Sequence, residues 1–243
     1  MQVWGLTDQG IVRQQNQDYY DIVCFDKDCL LAVVCDGMGG AKSGNIASRL
    51  AVDVFVEEVR REMKPVLEQQ EIEAMLKSAA ELANTAVYEQ AQLNQDFNGM
   101  GTTLVGVLVY NTTATIVNIG DSRVYFMDHN GIELVTVDHS LVELMVQRGE
   151  LTREVAKVHP GKNLITRAVG TEPQVEADIF VKELKKDDNL VLCTDGLSNV
   201  LADQEILFEV VHGVHKENCC RRLLDIAINR GAPDNVTAVL IAM

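Results

Sequence analysis

The stretch Leu30-Leu31-Ala32-Val33-Val34-Cys35-Asp36-Gly37-Met38-Gly39-Gly40-Ala41-Lys42-Ser43-Gly44 decides how the fold is read. A short, β-branched apolar run stops at Asp36-Gly37, and further glycines follow at once. Such a run reads as a buried strand. Its terminal carboxylate then lies at the mouth of a core, beside backbone that glycine leaves flexible. An isolated charge there is costly unless paired or metal-bound. Taken alone, Asp36-Gly37 is better read as a turn, because Asp-Gly is a strong turn dipeptide.

The same device recurs along the chain. Asn189 to Cys193 leads into Thr194-Asp195-Gly196, and Thr115 to Gly120 leads into Asp121-Ser122. Asp234-Asn235 precedes the apolar run Val236 to Ile241, and Asp18 closes a polar stretch before Tyr19. Five aspartates at strand edges suggest one cluster of carboxylates. At about 4 Å and an effective dielectric of roughly 20, each like-charge pair costs on the order of 4 kcal/mol. Several such pairs strain a domain of ordinary stability, and hard divalent cations with oxygen ligands relieve them.

With 243 residues, 47% of them hydrophobic, the chain can bury one sizeable core. No Pro/Ser-rich linker or charge block divides it, so a single domain over residues 1–243 is expected. The net charge of −15, from 36 acidic and 21 basic residues, argues against nucleic acid as a partner. Met1-Gln2-Val3-Trp4 has neither the basic nor the apolar region of a signal peptide. No apolar run approaches the roughly 20 residues that span a bilayer. The six cysteines form no CxxC pair, and Cys35 and Cys193 sit inside apolar runs. That is a reduced, cytoplasmic pattern with little support for zinc.

In chain order, strands are expected at Val3–Leu6, Tyr19–Phe25 and Cys29–Cys35. Ala47, Leu50, Ala51, Val54 and Phe55 mark one helix, which ends near Pro65. Ile72, Met75, Leu76, Ala79, Ala83, Ala86 and Val87 mark a second. A loop is expected at 94–101. An antiparallel meander over 102–135 follows, then a long irregular segment, 139–175, of the kind that is usually functional. Ile179–Val181 and Leu190–Thr194 return to strand, and Asp203 reads as an N-cap. A helix over Cys220–Ile228 stops at Gly231, and a central strand runs from Val236 to Ile241.

The residues themselves now carry a resemblance. They are Thr7-Asp8-Gln9-Gly10 with Arg13 and Asn16-Gln17-Asp18, then Asp36-Gly37-Met38-Gly39-Gly40 with Gly44, then Gly99-Met100-Gly101-Thr102-Thr103. There follow Gly120-Asp121-Ser122-Arg123, Asp138-His139-Ser140, Ile165-Thr166-Arg167-Ala168 with Gly170, Thr194-Asp195-Gly196-Leu197 and Asp234-Asn235-Val236-Thr237. Eight motifs in one order, nearly end to end, make the chain resemble the metal-dependent Ser/Thr protein phosphatases of type 2C, in their compact bacterial form.

The resemblance implies an α+β fold, a four-layer α-β-β-α sandwich of two antiparallel sheets, with metals at one end between them. It implies two Mn²⁺ or Mg²⁺ ions, bridged by Asp36, with the Gly37 carbonyl on one and Asp195 and Asp234 on the other. Asp18 lies in or just behind that set, and Asp121 shares a third, weaker metal with Asp195. Arg13 grips the substrate phosphate, for which a guanidinium fork is well shaped. The implied reaction is hydrolysis of phosphoserine and phosphothreonine by a water activated between two metals, without a phosphoenzyme. The implied partners are phosphorylated proteins, among them a eukaryotic-like Ser/Thr kinase, acted on by a cytoplasmic monomer.

Two positions depart from the family pattern. Gln17 stands where many members have Glu, and Met38 stands where eukaryotic members have a histidine general acid. Among the remaining histidines, His139 in Asp-His-Ser and His159 before Pro160 read as structural. Two rival functions are weighed against the enzyme: a degenerate phosphoprotein-binding module, against which all five aspartates count, and a nuclease, against which the charge counts.

Overall fold

The computed structural model describes residues 1–39, 43–93, 95–97 and 99–243. Gly40, Ala41 and Lys42 of the opening stretch, and Asn94 and Asn98 of the expected loop, lie outside the described residues. In order, the chain forms β1 (Gln2–Asp8), β2 (Asp18–Cys24), β3 (Cys29–Met38), α1 (Gly44–Glu62), α2 (Gln69–Leu93), β4 (Gly101–Thr102) and β5 (Leu104–Tyr110). Then come β6 (Thr113–Ile119), β7 (Arg123–Asp128), β8 (Gly131–Leu134), α3 (Leu141–Gln147), α4 (Arg153–Val158), β9 (Asp178–Glu183) and β10 (Asn189–Cys193). The chain closes with α5 (Asp195–Ser198), α6 (Asp203–His212), α7 (Cys219–Asn229) and β11 (Val236–Ala242).

One sheet runs β1-β11-β10-β7-β8, the other β2-β3-β5-β6-β9, with β4 paired to the end of β3. Every pairing is antiparallel. Strand alternation sorts the side chains into three apolar layers. Leu30, Ala32 and Val34 of β3 meet Leu190, Leu192, Val239 and Ile241 between the sheets. The alternate residues Leu31, Val33 and Cys35 face Ala51, Phe55, Leu76 and Ala83 of α1 and α2. On the far side, Val191, Cys193, Ala238 and Leu240 face Ile206, Leu223, Leu224 and Ala227. The architecture is therefore the expected α+β sandwich of two antiparallel sheets flanked by helices.

Three expectations are corrected. The expected meander is not continuous: β5 and β6 belong to one sheet, β7 and β8 to the other. The chain changes sheets across Gly120-Asp121-Ser122, where Gly120 adopts a φ of +110°. Asp36-Gly37 is not a turn; β3 runs on to Met38 because Gly37 and Met38 pair with Thr102 and Gly101. Asp203 is the first residue of α6, not its cap, and the free N–H of Ala202 is met by the Glu205 carboxylate at 2.9 Å. The final strand has partners on both sides, β1 and β10, and all seven of its residues are buried, as its unbroken apolar run requires.

Candidate active site

The alternation that builds the inter-sheet core also builds the site. Continuing the inward-facing positions one step beyond the apolar residues gives Asp36 after Leu30, Ala32 and Val34, and Thr194 after Leu190 and Leu192. The same step gives Thr237 before Val239 and Ile241, and Asp18 before Tyr20 and Ile22. The core between the sheets thus ends in a polar cap drawn from both.

Hydrogen bonds lock that cap across the sheets. The Thr194 and Thr237 hydroxyls donate to Asp18 Oδ2 at 2.8 and 2.6 Å. Thr103 Oγ1 and Ser122 Oγ lie 2.7 Å apart, and Thr103 Oγ1 accepts from the Asp36 N–H at 2.9 Å. The loop before β11 is tied down by Asn235. Its Oδ1 accepts from the Gln17 N–H, and its Nδ2 donates to the carbonyls of Gln9 and Gln15, all at 2.8–2.9 Å. Glycines let the segments meet this closely: a Cβ on Gly37 would overlap the Gly44 carbonyl, and one on Gly196 the Asn235 carbonyl.

Above the cap opens a cleft of about 530 Å³. Arg13, Asp36, Gly37, Asp121, Asp195 and Asp234 all line it, as do Gln17 and Met38. Asp18 lies beneath it, 5% exposed. Asn163 and Ile165 form part of its wall, so the 139–175 segment does border the cleft. No histidine is among its described lining residues. His139 is buried, and His159 Nδ1 accepts from the Gly161 N–H at 3.0 Å.

The electrostatics are those of crowded anions. Burial, reinforced by Asp18, Asp195, Asp234 and Asp121, raises Asp36 well above the usual carboxylate range. Burial likewise pushes Asp18 up to about 7, against the two threonine hydrogen bonds, and Asp121 up to about 7 with help from Asp195 and Asp138. Asp195 is raised by burial and by Asp234. Arg13, half exposed, reaches in from the rim and donates to Asp234 Oδ2 at 2.6 Å.

Two atoms of this donor set bear on its fit to divalent cations. Asp18 Oδ1 and Asp195 Oδ1 are buried and have no hydrogen-bond partner. Orphaned carboxylate oxygens beside other carboxylates are what a hard cation satisfies. Among the described residues no three His, Cys, Asp or Glu side chains close into a ready-made metal-binding group. Mg²⁺ keeps several waters and takes only one or two carboxylates from a protein, so a closed cage of side chains is not required. The residues present fit the cations.

Sequence reasoning assigned no role to Asn235, Thr194 or Thr237. A signal was there: each threonine is a polar residue at an inward position of an otherwise apolar strand.

Comparison with known proteins agrees with this geometry. The sequence pattern described as "Protein phosphatase 2C" matches residues 11–222. The serine/threonine phosphatase stp of Listeria welshimeri is 34% identical over 239 residues, which cover 97% of this chain and 93% of that one. Protein phosphatase PhpP of Streptococcus pneumoniae is 33% identical over the whole of this chain and 98% of its own. The crystal structure of serine/threonine phosphatase Stp1 from Staphylococcus aureus superposes with a TM-score of 0.92 at 37% identity, covering 99% of this chain and 94% of that one. The chain belongs to the protein phosphatase 2C family. It is a protein phosphatase, of a family that depends on metal ions, generally Mg²⁺ or Mn²⁺.

Proposed function

We propose that residues 1–243 form one catalytic unit that hydrolyses phosphoserine and phosphothreonine in proteins, by an activated water and without a phosphoenzyme. The observation that carries this reading is the pair of orphaned oxygens, Asp18 Oδ1 and Asp195 Oδ1, in a carboxylate cluster whose described cleft lining has Arg13 as its one cation. Asp36, the Gly37 carbonyl, Asp195 and Asp234 would hold two Mn²⁺ or Mg²⁺ ions. Asp18 would steady the set from below, and Asp121 with Asp195 would hold a third, weaker ion. Such ions, when bound, lower the pKa of a water and neutralise charge on the phosphoryl oxygens.

The chain's own groups do the rest. Arg13 stands at the rim with a guanidinium fork matched to phosphate, and its bond to Asp234 keeps it over the cleft. The two threonine hydroxyls fix Asp18 Oδ2 and so aim Oδ1. Met38, beside Asp36, has no proton to give, so the departing serine or threonine oxygen takes its proton from water in the cleft. A covalent thiol route is disfavoured. Burial pushes Cys193 up to about 12 and Cys35 higher still, and the exposed Cys24 sits at the end of β2 remote from Asp18.

The substrates are phosphorylated proteins, with a eukaryotic-like Ser/Thr kinase among them, and the chain acts as a cytoplasmic monomer. Among the described residues no helix is long and apolar enough to cross a membrane. A phosphopeptide panel assayed with Mn²⁺, with Mg²⁺ and with EDTA tests the proposal. Release of phosphate from phosphoserine and phosphothreonine peptides with metal, and none in EDTA, is expected; full turnover in EDTA would sink it.

Arg13 has its own test. A charge-assisted hydrogen bond to phosphate is worth about 1.5–3 kcal/mol, so Arg13→Ala should raise KM for a phosphopeptide by about tenfold or more. Arg13→Lys should recover only part, because an ammonium cannot bind two oxygens in a plane. If KM is unchanged in both variants, Arg13 is only an exposed ion pair of small worth.

A further inference from the structure

The crossing that carries Asp121 is held by a group the mechanism above does not use. His139 is 7% exposed and makes two opposed bonds to Gly120. Its backbone N–H donates to the Gly120 carbonyl at 2.9 Å, and the Gly120 N–H donates to His139 Nδ1 at 3.0 Å. An accepting Nδ1 leaves the proton on Nε2, which faces Asp178 Oδ2 at 3.1 Å. Burial, with help from the Arg167 guanidinium and against the bond to Asp178, lowers the pKa of His139 and so favours the neutral ring that the Gly120 N–H contact to Nδ1 requires. Arg167 Nη1 donates to Asp178 Oδ1 at 2.8 Å and to the Glu176 carbonyl at 3.0 Å, and it also lies 3.1 Å from His139 Nε2, so Asp178 bridges the two nitrogens and takes both protons.

The same histidine closes the stem of the cleft-bordering segment. The Thr166 N–H donates to the His139 carbonyl at 2.7 Å. Ser140 then bridges to Ile165, and the Leu141 N–H donates to the Leu164 carbonyl at 2.8 Å. Between that stem and the Thr103–Ser122 contact, Asp121 has an anchor on each side. Gly120, with no side chain and a positive φ, is held by the two bonds to His139 and by a longer one, 3.4 Å, from Asn118 Nδ2 to its carbonyl.

We propose that His139 is a positioning residue: oriented by Asp178 and Arg167, it joins the stem of segment 140–165 to Gly120 and holds the Asp121 carboxylate where the third, weaker divalent cation binds. This rests on the reading of Asp121 given above, and the experiment separates the two.

The side-chain amide oxygen of an asparagine can stand where Nδ1 stands, and the amide of a glutamine where Nε2 stands. His139→Asn therefore keeps the bond from Gly120 and loses Asp178, whereas His139→Gln does the reverse. Mn²⁺ binding to the metal-stripped variants is measured by titration calorimetry, with Asp121→Asn as the reference, and kcat and KM are measured on one phosphopeptide. Asp121→Asn should remove the weakest Mn²⁺ site. His139→Gln should weaken that same site by about tenfold or more, the range found for outer partners of metal ligands, and should lower kcat with KM unchanged. His139→Asn should stay nearer to wild type than His139→Gln. Should His139→Gln fail to fold, Asp178→Asn takes its place, with a smaller loss in the same site.

Wild-type Mn²⁺ affinities in His139→Gln, or equal losses in the Asn and Gln variants, would overturn the positioning role. No change in Mn²⁺ binding by Asp121→Asn would overturn the reading of Asp121, and this proposal with it.

Discussion

Asp36→Asn is expected to abolish phosphatase activity and, at the same time, to raise the melting temperature of the metal-free protein at pH 8. The two effects have one cause. Asp36 is an inward-facing carboxylate raised by burial and by four neighbouring aspartates. An amide of the same shape keeps the strand and its bond to Thr103, but it removes a carboxyl that, without a cation, must at pH 8 either bear its charge among other carboxylates or hold a proton against the solvent. Relief of about 2 kcal/mol, part of one close like-charge pair, corresponds to about 4–8 °C for a chain of this size. Loss of the ligand should reduce kcat/KM by at least about a thousandfold, or about 4 kcal/mol of transition-state stabilisation. Calorimetric melting in EDTA, beside phosphopeptide turnover in Mn²⁺, checks both. A variant that melts lower than wild type in EDTA would mean that Asp36 is a structural carboxylate and not a held-in-waiting ligand.

The second large effect is in pH. Without metal, Asp18 and Asp121 keep their protons to about 7, whereas in the unfolded chain they release them near 4. Between those values the folded state binds more protons than the unfolded one, so stability must fall as pH rises from about 4 through 7. For Asp18 alone the fall is on the order of 4 kcal/mol, or about 10 °C in melting temperature. The lowered surface groups, such as Glu205 at about 2 beside Arg230, gain their stabilising charge at lower pH. His139, lowered by burial, works the other way up to about 6.5, but it is one group against Asp18, Asp121, Asp36 and Asp195, all raised. Saturating Mn²⁺ should remove most of the fall and, at a hundred times its Kd, add about 2.7 kcal/mol. A melting temperature in EDTA that is flat from pH 5 to 8 would contradict the clustering of the carboxylates.

Much of this was legible in the sequence because strand alternation is local. Leu30 to Val34 told both faces of β3, and Asp36 fell on the inner one. Four of the strand-edge aspartates, Asp36, Asp121, Asp195 and Asp234, line one cleft with Asp18 beneath it, and the helical spacing marks α1 and α2. What escaped was decided by partners far away in the chain. Whether β7 pairs with β6 or with β10 is settled by which sheet has room for it, and no feature of 113–128 states that. The short pairing of Gly37 with Thr102, which turns an apparent Asp-Gly turn into continuous strand, lies 65 residues distant. Asn235 read as part of a motif, yet its three bonds to the 9–17 loop depend on segments that meet only in the fold.

That distance also sets the order of events when the chain folds. β11 lies between β1 and β10 and pairs residue 2 with residue 242, so Thr237 and Asp234 reach Asp18 only when the two ends of the described chain come together. Closing so long a loop adds little to the equilibrium cost, which grows only with the logarithm of length, but non-local pairing of this kind is slow. Until it happens, Asp18 has no hydroxyl from β11, Asp234 is absent from the cleft and Arg13 has nothing to hold it over the site. A nascent or half-folded chain therefore has β2 and β3, which carry Asp18 and Asp36, but no competent centre. Under the proposed mechanism, metal-dependent activity doubles as a report that β11 has taken its place between β1 and β10.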